Sequence, residues 1–196
     1  MTIRISKPAF NLREKITQLE GRVPFERMPV GSMMLIGRNA SSNRTNISSN
    51  QSWTNIVGAD IEVHPRLASS LLEIHMNFTM ESQGGPNGIG FRIYRQLKYM
   101  SNLAGPAVLI YDNYQHSHWS SSTSDWTGPG TIILEVYDNP YSAVADVDGS
   151  VTTDVTTKGT SVYYYAQGYK ESGNNFYVNY GQDAEGLLVT VKEIRQ

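Results

Sequence analysis

The sequence predicts an all-β protein, an antiparallel β-sandwich preceded by a short helical arm. Three observations carry this. Beyond Gly31, apolar and polar residues alternate with a period of two in one segment after another. Turn-forming Gly, Pro, Asn and Ser residues punctuate those segments about every ten residues. Only one stretch, Asn11–Gly21, has helical spacing. With 196 residues the chain has the length of one main domain, which at ~100–200 residues fits a unit of 31–196 after an arm and linker of 1–30.

The arm is read from its caps. Asn11 can accept a backbone N–H at a helix start, and Glu14, three residues on, can return the bond. Leu12, Ile16 and Leu19 then share a face, and Gly21 is a suitable left-handed stop. So short a helix is unstable alone in water, where ~12–15 residues is already marginal. Its apolar stripe must therefore dock, either on its own domain or on a neighbouring subunit or another protein. Pro24 and Pro29 bracket an extended linker, Val23 to Val30.

Nine strands follow. Ser32–Gly37 is short and apolar, and Asn39–Ser52 reads as a polar loop. Thr54–His64 places Val57, Ala59, Ile61 and Val63 on one side. Ser70–Met80 is the clearest, with Leu72, Ile74, Met76, Phe78 and Met80 facing one way and Glu73, His75, Asn77 and Thr79 the other. Gln83–Gly88 reads as a hairpin turn into Ile89–Arg95, whose Ile89, Phe91 and Ile93 point inward. Ala107–Tyr111 precedes a loop over His116–Gly128. Thr131–Asp138 sets Ile132, Leu134 and Val136 against Ile133, Glu135 and Tyr137, and Asn139–Lys158 is again a long polar loop. Ser161–Tyr169, Phe176–Tyr180 and Leu187–Ile194 are rich in Val, Ile and Tyr. Hairpins mixed with long connections favour Greek-key wiring, and eight or nine strands fit a jelly roll. Periodicity alone does not separate that from an immunoglobulin-like sandwich.

Composition narrows the function. The net charge of −2 excludes a strongly basic nucleic-acid binder. No run of ~18 apolar residues offers a membrane span, and Met1–Lys7 lacks the apolar core of a signal peptide. The absence of Cys excludes a disulfide framework, a thiolate metal site and a cysteine nucleophile, and is compatible with assembly in a reducing cytoplasm.

Few residues invite chemistry. His116 and His118, with Asp112 nearby, lack a third metal ligand at a telling spacing and read as exposed histidines. The Gly84–Gly90 stretch precedes a strand and offers no helix N-terminus to a phosphate. Glu73, Glu135, Asp138 and Asp112 are the carboxylates from which a glycosidase pair would be drawn, but no pairing follows from spacing. No Gly-x-Ser-x-Gly elbow is present. No metal or cofactor is expected. Trp119, Trp126, Tyr111, Tyr114 and Tyr141 sit in or beside the long loops, where aromatics either stack on sugars or form an interface, or cap the ends of the sandwich. Tyr163-Tyr164-Tyr165 places two rings on one sheet face and one on the other, and an outer aromatic face expects a covering partner. Arg92, Arg95 and Lys98 read as a solvated face.

The opening words carry a resemblance. Lys7-Pro8-Ala9-Phe10-Asn11-Leu12-Arg13-Glu14-Lys15, then Leu19, then Val23–Ser32, resembles the start of virion structural proteins of marine podovirus-like phages, including cyanophages. Gly88–Arg95, Leu134–Pro140, Asn174–Asn179 and Glu193-Ile194 are similar to later strands of that group. The resemblance implies a non-enzymatic particle component, a jelly roll that is commonly trimeric and fixed to the capsid or tail through its N-terminal segment. The absence of a fibrous shaft favours a small surface module, a capsid decoration or short fibre knob. The implied docking arm comprises Pro8, Phe10, Leu12, Arg13, Ile16 and Leu19. The implied partners are copies of the chain, with a trimer favoured, and capsid or tail subunits. The implied location is the virion surface after synthesis in the host cytoplasm. Two other readings stand beside it. One is a module binding a host-surface glycan through Tyr114, Trp119, Trp126 and Tyr141. The other is a polysaccharide-degrading enzyme.

Overall fold

The computed structural model describes residues 25–67, 69–83, 86–99, 103–104, 106–117, 126–140, 161–179 and 186–196. After a single 3-10 turn, Phe25–Arg27, the regular elements are strands: β1 (Met33–Ser41), β2 (Thr45–Ile47), β3 (Ser52–Val63), β4 (Leu71–Gln83), β5 (Pro86–Tyr99), β6 (Leu103–Ala104), β7 (Val108–Ser117), β8 (Trp126–Asp138), β9 (Ser161–Gly173), β10 (Phe176–Val178) and β11 (Leu187–Ile194). No helix among the described residues is long and apolar enough to cross a membrane. The helical arm expected over Asn11–Gly21 lies outside the described residues.

The strands form two antiparallel sheets. In the first, β11 lies between β1 and β4, and β8 pairs with the other edge of β4. The short β10 continues the β11 side of β4 and carries β2 beyond it. In the second, β9 lies between β3 and β5, with β7 and β6 on the far side of β5. One hydrophobic cluster draws on both sheets, which is the arrangement of a sandwich. Phe91 of the second sheet stands at its centre, 5.1 Å from the Phe78 ring and 6.3 Å, edge-on, from Phe176, both of the first. The alternating residues predicted to face inward from β4 and β5 do so; of the two sets alternating over Thr131–Asp138 of β8, Ile132 and Leu134 are buried while Ile133 and Tyr137 stand in solvent.

Several expectations are corrected. Gln83–Gly88 does not join a hairpin: β4 and β5 belong to different sheets, and the chain crosses the sandwich there. Both strands bury one apolar face in the same core, and a crossing satisfies that pattern as well as a hairpin does. The apolar strand opening at Met33 runs on to Ser41, and the supposed loop also contains β2. Both ends of the loop expected over His116–Gly128 are strand, because β7 runs to Ser117 and β8 starts at Trp126. Gly128-Pro129-Gly130, ahead of the strand expected from Thr131, lies within β8, whose register against β4 breaks between Met80 and Ser82. Proline is tolerated at such irregular or edge positions.

In β3, Ile56 is buried and Val57 is exposed, the reverse of the expected phase. The cause is a bulge: Asn55 pairs with Gln167 but Asp60 pairs with Tyr165, so Ile56, Val57, Gly58 and Ala59 stand opposite Ala166 alone. Gly58 takes φ +83°, and a Cβ there would collide with the Ser41 side chain. The polar residues of the preceding segment serve this bulge. Asn39 donates from Nδ2 to the carbonyls of Gly58 (3.2 Å) and Asp60 (2.7 Å), and Thr45 Oγ1 accepts the Val57 N–H at 2.8 Å. These bonds supply main-chain partners that the broken ladder does not.

Arg95 also departs from expectation. It continues the inward phase of Ile89, Phe91 and Ile93, and it is buried. Only Arg92 and Lys98 of the supposed solvated face are outside. The guanidinium of Arg95 meets Asp138 of the opposite sheet at 2.7 Å, and the Tyr164 hydroxyl donates to the same carboxylate at 2.8 Å.

Candidate functional site

The outer face of the first sheet gathers charges that sequence spacing did not pair. The β4–β8 register sets His75 opposite Glu135 and Glu73 opposite Tyr137, while the β4–β11 register sets Lys192 beside Glu73. His75 Nε2 lies 2.5 Å from Glu73 Oε1, and Lys192 Nζ donates to the same oxygen at 2.8 Å. The Tyr137 hydroxyl donates to Glu135 Oε1 at 2.9 Å. One ligand atom from each of Glu73, His75 and Glu135 falls within 4.8 Å of the others. The Lys192 ammonium, backed by His75 and opposed by burial, holds the Glu73 carboxyl below its ordinary value. A general acid for sugar cleavage needs the opposite shift. Of the other two carboxylates, Asp138 points into the core and Asp112 is held by Arg92 at 3.0 and 3.2 Å.

The outer face of the second sheet is aromatic. Tyr94 of β5 stacks on Tyr165 of β9, with centroids 5.3 Å apart and planes 13° apart. Tyr163 follows at 5.7 Å, and the Lys98 ammonium lies 4.6 Å from its centroid. Further along, Trp53 is covered by the Arg92 guanidinium at 3.9 Å and by Tyr169 at 4.9 Å. These rings therefore spend faces on one another and on cations. Tyr164, between Tyr163 and Tyr165, points into the core, as alternation predicted.

Beside this ladder the β3 bulge opens a depression of about 410 Å³, lined among others by Asn55, Val57, Asp60, Gln96, Tyr163 and Gln167. Gln167 Nε2 donates to Asn55 Oδ1 at 2.8 Å, and the Tyr163 hydroxyl donates to Asp60 Oδ2 at 3.1 Å. Burial first, and the Asp60 carboxylate next, push the Tyr163 phenol up to about 12. The sign follows. Above its ordinary value of 10 the unfolded chain gives up this proton while the fold keeps it, so stability falls as pH rises from 10 towards about 12. Tyr163→Phe is expected to flatten that part of the alkaline decline, measured as urea midpoints across the window. Equal slopes in the two proteins would refute it.

The residues expected to carry function lie mostly elsewhere. Pro8, Phe10, Leu12, Arg13, Ile16 and Leu19, and likewise His118, Trp119 and Tyr141, lie outside the described residues. Tyr114 falls in β7 and Trp126 in β8, so both are strand positions rather than loop positions, and their side chains lie outside the described residues. Tyr111 packs against the core. The bulge was missed because Thr54–His64 reads as unbroken alternation. The Gly58 in its middle was the available signal.

No protein-family model matches this chain, and no curated protein matches it. Among solved structures it is similar to that of the infectious bursal disease virus Gx strain, at 11% identity and a TM-score of 0.36, covering 88% of this chain and 41% of that one. It is similar to a mutant VP2 protein of the same virus in T=1 particles, at 9% identity and a TM-score of 0.36, covering 88% and 40%. It is also similar to the VP2 subviral particle, at 10% identity and a TM-score of 0.32, covering 84% and 36%. The chain thus spans less than half the length of each.

Proposed function

We propose that this chain is a non-enzymatic virion structural protein of a bacteriophage. It is a surface module, either a capsid decoration or a short fibre knob, fixed to the particle through its N-terminal segment, with the β body exposed. The observation that carries the reading is the wiring of the two sheets. The orders β1-β11-β4-β8 and β3-β9-β5-β7 require every connection between these eight strands, except β5 to β7, to pass from one sheet to the other. That wiring supports the jelly-roll reading, an architecture used by capsid and lectin domains. The phage-like opening sequence, Lys7–Leu19, adds the means of attachment. A homo-oligomer, with a trimer favoured, would multiply weak arm contacts into stable seating on capsid or tail subunits. The ion-paired Asp112 and the inward-pointing Asp138 weigh against a sugar-cleaving pair that includes either of them.

Deletion of residues 1–22 tests the reading. The shortened chain is expected to keep its β-sheet circular dichroism and cooperative unfolding but to be missing from purified particles. Incorporation at full occupancy would overturn the arm's role, and release of reducing sugar from polysaccharide by the intact protein would overturn the non-enzymatic assignment.

A further inference from the structure

We propose that the depression opened by the β3 bulge on the outer face of the second sheet binds a neutral glycan. The proposal stands apart from the particle role, since it concerns the β3–β9 seam and not the N-terminal segment. It differs from the reading of loop aromatics as sugar platforms in both residues and mode of recognition.

The bulge makes the space. Elsewhere along the described β3–β9 seam the residues pair one to one. Opposite Ala166 the four bulged residues draw away, and the hollow lies within the roughly 300–1,000 Å³ usual for small-ligand sites. Its scaffold is rigid, because the bulge's main chain is tied down by Asn39 and Thr45. Bulges recur beside functional sites for this reason: they re-aim side chains without loosening the sheet.

The lining chooses the ligand. Asn55 and Gln167 share one hydrogen bond, and that bond leaves Asn55 Nδ2 as a donor and Gln167 Oε1 as an acceptor unused by it. Adjacent sugar hydroxyls, each both donor and acceptor, match such a pair. Asp60 Oδ1 is likewise not used by the bond from Tyr163 and can accept from a further hydroxyl. Val57, exposed at the rim, offers apolar surface to a sugar ring's C–H groups. Asp60 is the charged residue of the lining, whereas Glu62, one outward position along β3, is ion-paired to Lys98 at 2.6 Å, so it is the Asp60 carboxylate that disfavours sialylated, uronate and sulfated chains. Recognition through amides rather than stacked rings follows from the ladder, where Tyr163, Tyr165 and Trp53 already spend ring faces on neighbours. A site this shallow binds weakly on its own, and several copies on one particle would supply avidity.

The test uses the full-length chain on a microarray of malto-, cello-, chito- and lactosamine oligosaccharides with sialylated and sulfated controls. The strongest neutral binder is then titrated calorimetrically into wild type, Asn55→Ala, Gln167→Ala and Val57→Arg, with Ile133→Ser on the opposite sheet as control. Circular dichroism and sedimentation accompany each variant. Binding to a neutral oligosaccharide is expected, about tenfold weaker for each of the three bulge variants and unchanged for Ile133→Ser. Three results would overturn the proposal: no neutral glycan bound, binding confined to acidic glycans, or wild-type affinity in folded bulge variants. A change of oligomeric state in those variants without glycan binding would mark this face as an interface between copies and equally dismiss the glycan. Particle incorporation is read separately, so failure here leaves the structural role untouched.

Discussion

Asp138→Ala is expected to destabilise the fold by about 3–5 kcal/mol, the usual cost of stranding one member of a buried ion pair. Asp138 stands at the end of β8 and accepts from Arg95 at 2.7 Å and from the Tyr164 hydroxyl at 2.8 Å, both from the other sheet. All three are buried. Removing the carboxylate leaves the buried Arg95 guanidinium with the Asn139 carbonyl at 3.4 Å, while its Nε already lacks a partner. Burial pushes the Asp138 carboxyl above its ordinary value despite the pull of Arg95 and Tyr164. Desolvation therefore outweighs the attraction, and the cluster is a clamp of specific geometry rather than a large net source of stability. A second variant follows from that. Arg95→Met combined with Asp138→Leu removes both charges and is expected to recover most of the loss. Urea midpoints at constant m-value measure both. A loss below about 1 kcal/mol for Asp138→Ala, which is the range of exposed pairs, would show the pair to be solvated.

Glu193→Ala is expected to cost about 3 kcal/mol or more, for a different reason. Glu193 lies on the inward face of β11 and is fully buried. Its carboxylate accepts the backbone N–H of Arg66 at 2.8 and 3.0 Å, that of Leu67 at 2.9 Å, and the Ser70 hydroxyl at 2.7 Å. It thus closes the crossing from β3 to β4, where no ladder satisfies the main chain. Alanine leaves the buried Ser70 hydroxyl and the part-buried Arg66 and Leu67 N–H groups without this acceptor, and a buried orphan costs about 1–3 kcal/mol. Glu193→Gln keeps one acceptor oxygen and is expected to lose less. Amide hydrogen exchange should locate the effect, with Arg66 and Leu67 losing protection ahead of the core strands. Uniform loss of protection would mean that the carboxylate supports the whole sandwich and not this crossing.

Both clusters mark where sequence reading reached its limit. The phase of β5 was legible through Ile89, Phe91 and Ile93, and the same phase puts Arg95 inside. The residue type argued the other way, since arginine is seldom buried unless paired. Its partner is 43 positions away, on a strand of the other sheet. Glu193 lies 127 positions from Arg66. Lys170 repeats the lesson: it continues the inward phase of Tyr164 and Ala166, and it is buried with its Nζ donating to Gly173 O and Asn175 Oδ1. At the outer faces, Glu73, His75 and Glu135 were each recognisable as chemically able. Their meeting required the antiparallel register of β4 against β8, which no local pattern encodes. The depression on the second sheet is a still weaker sequence signal, since it arises from one break in alternation around Gly58.

What the sequence determined by itself is the all-β class, most of the strands and the apolar face of each, because the two-residue alternation of side chains is a property of one extended backbone. The tertiary structure alone decided that β4 and β5 part company across the core, that β3 bulges, and which buried charges find one another. Pairing and register are settled by contacts between distant segments, where main-chain hydrogen bonds and buried polar groups must all be satisfied at once. A chain read one window at a time does not contain that condition.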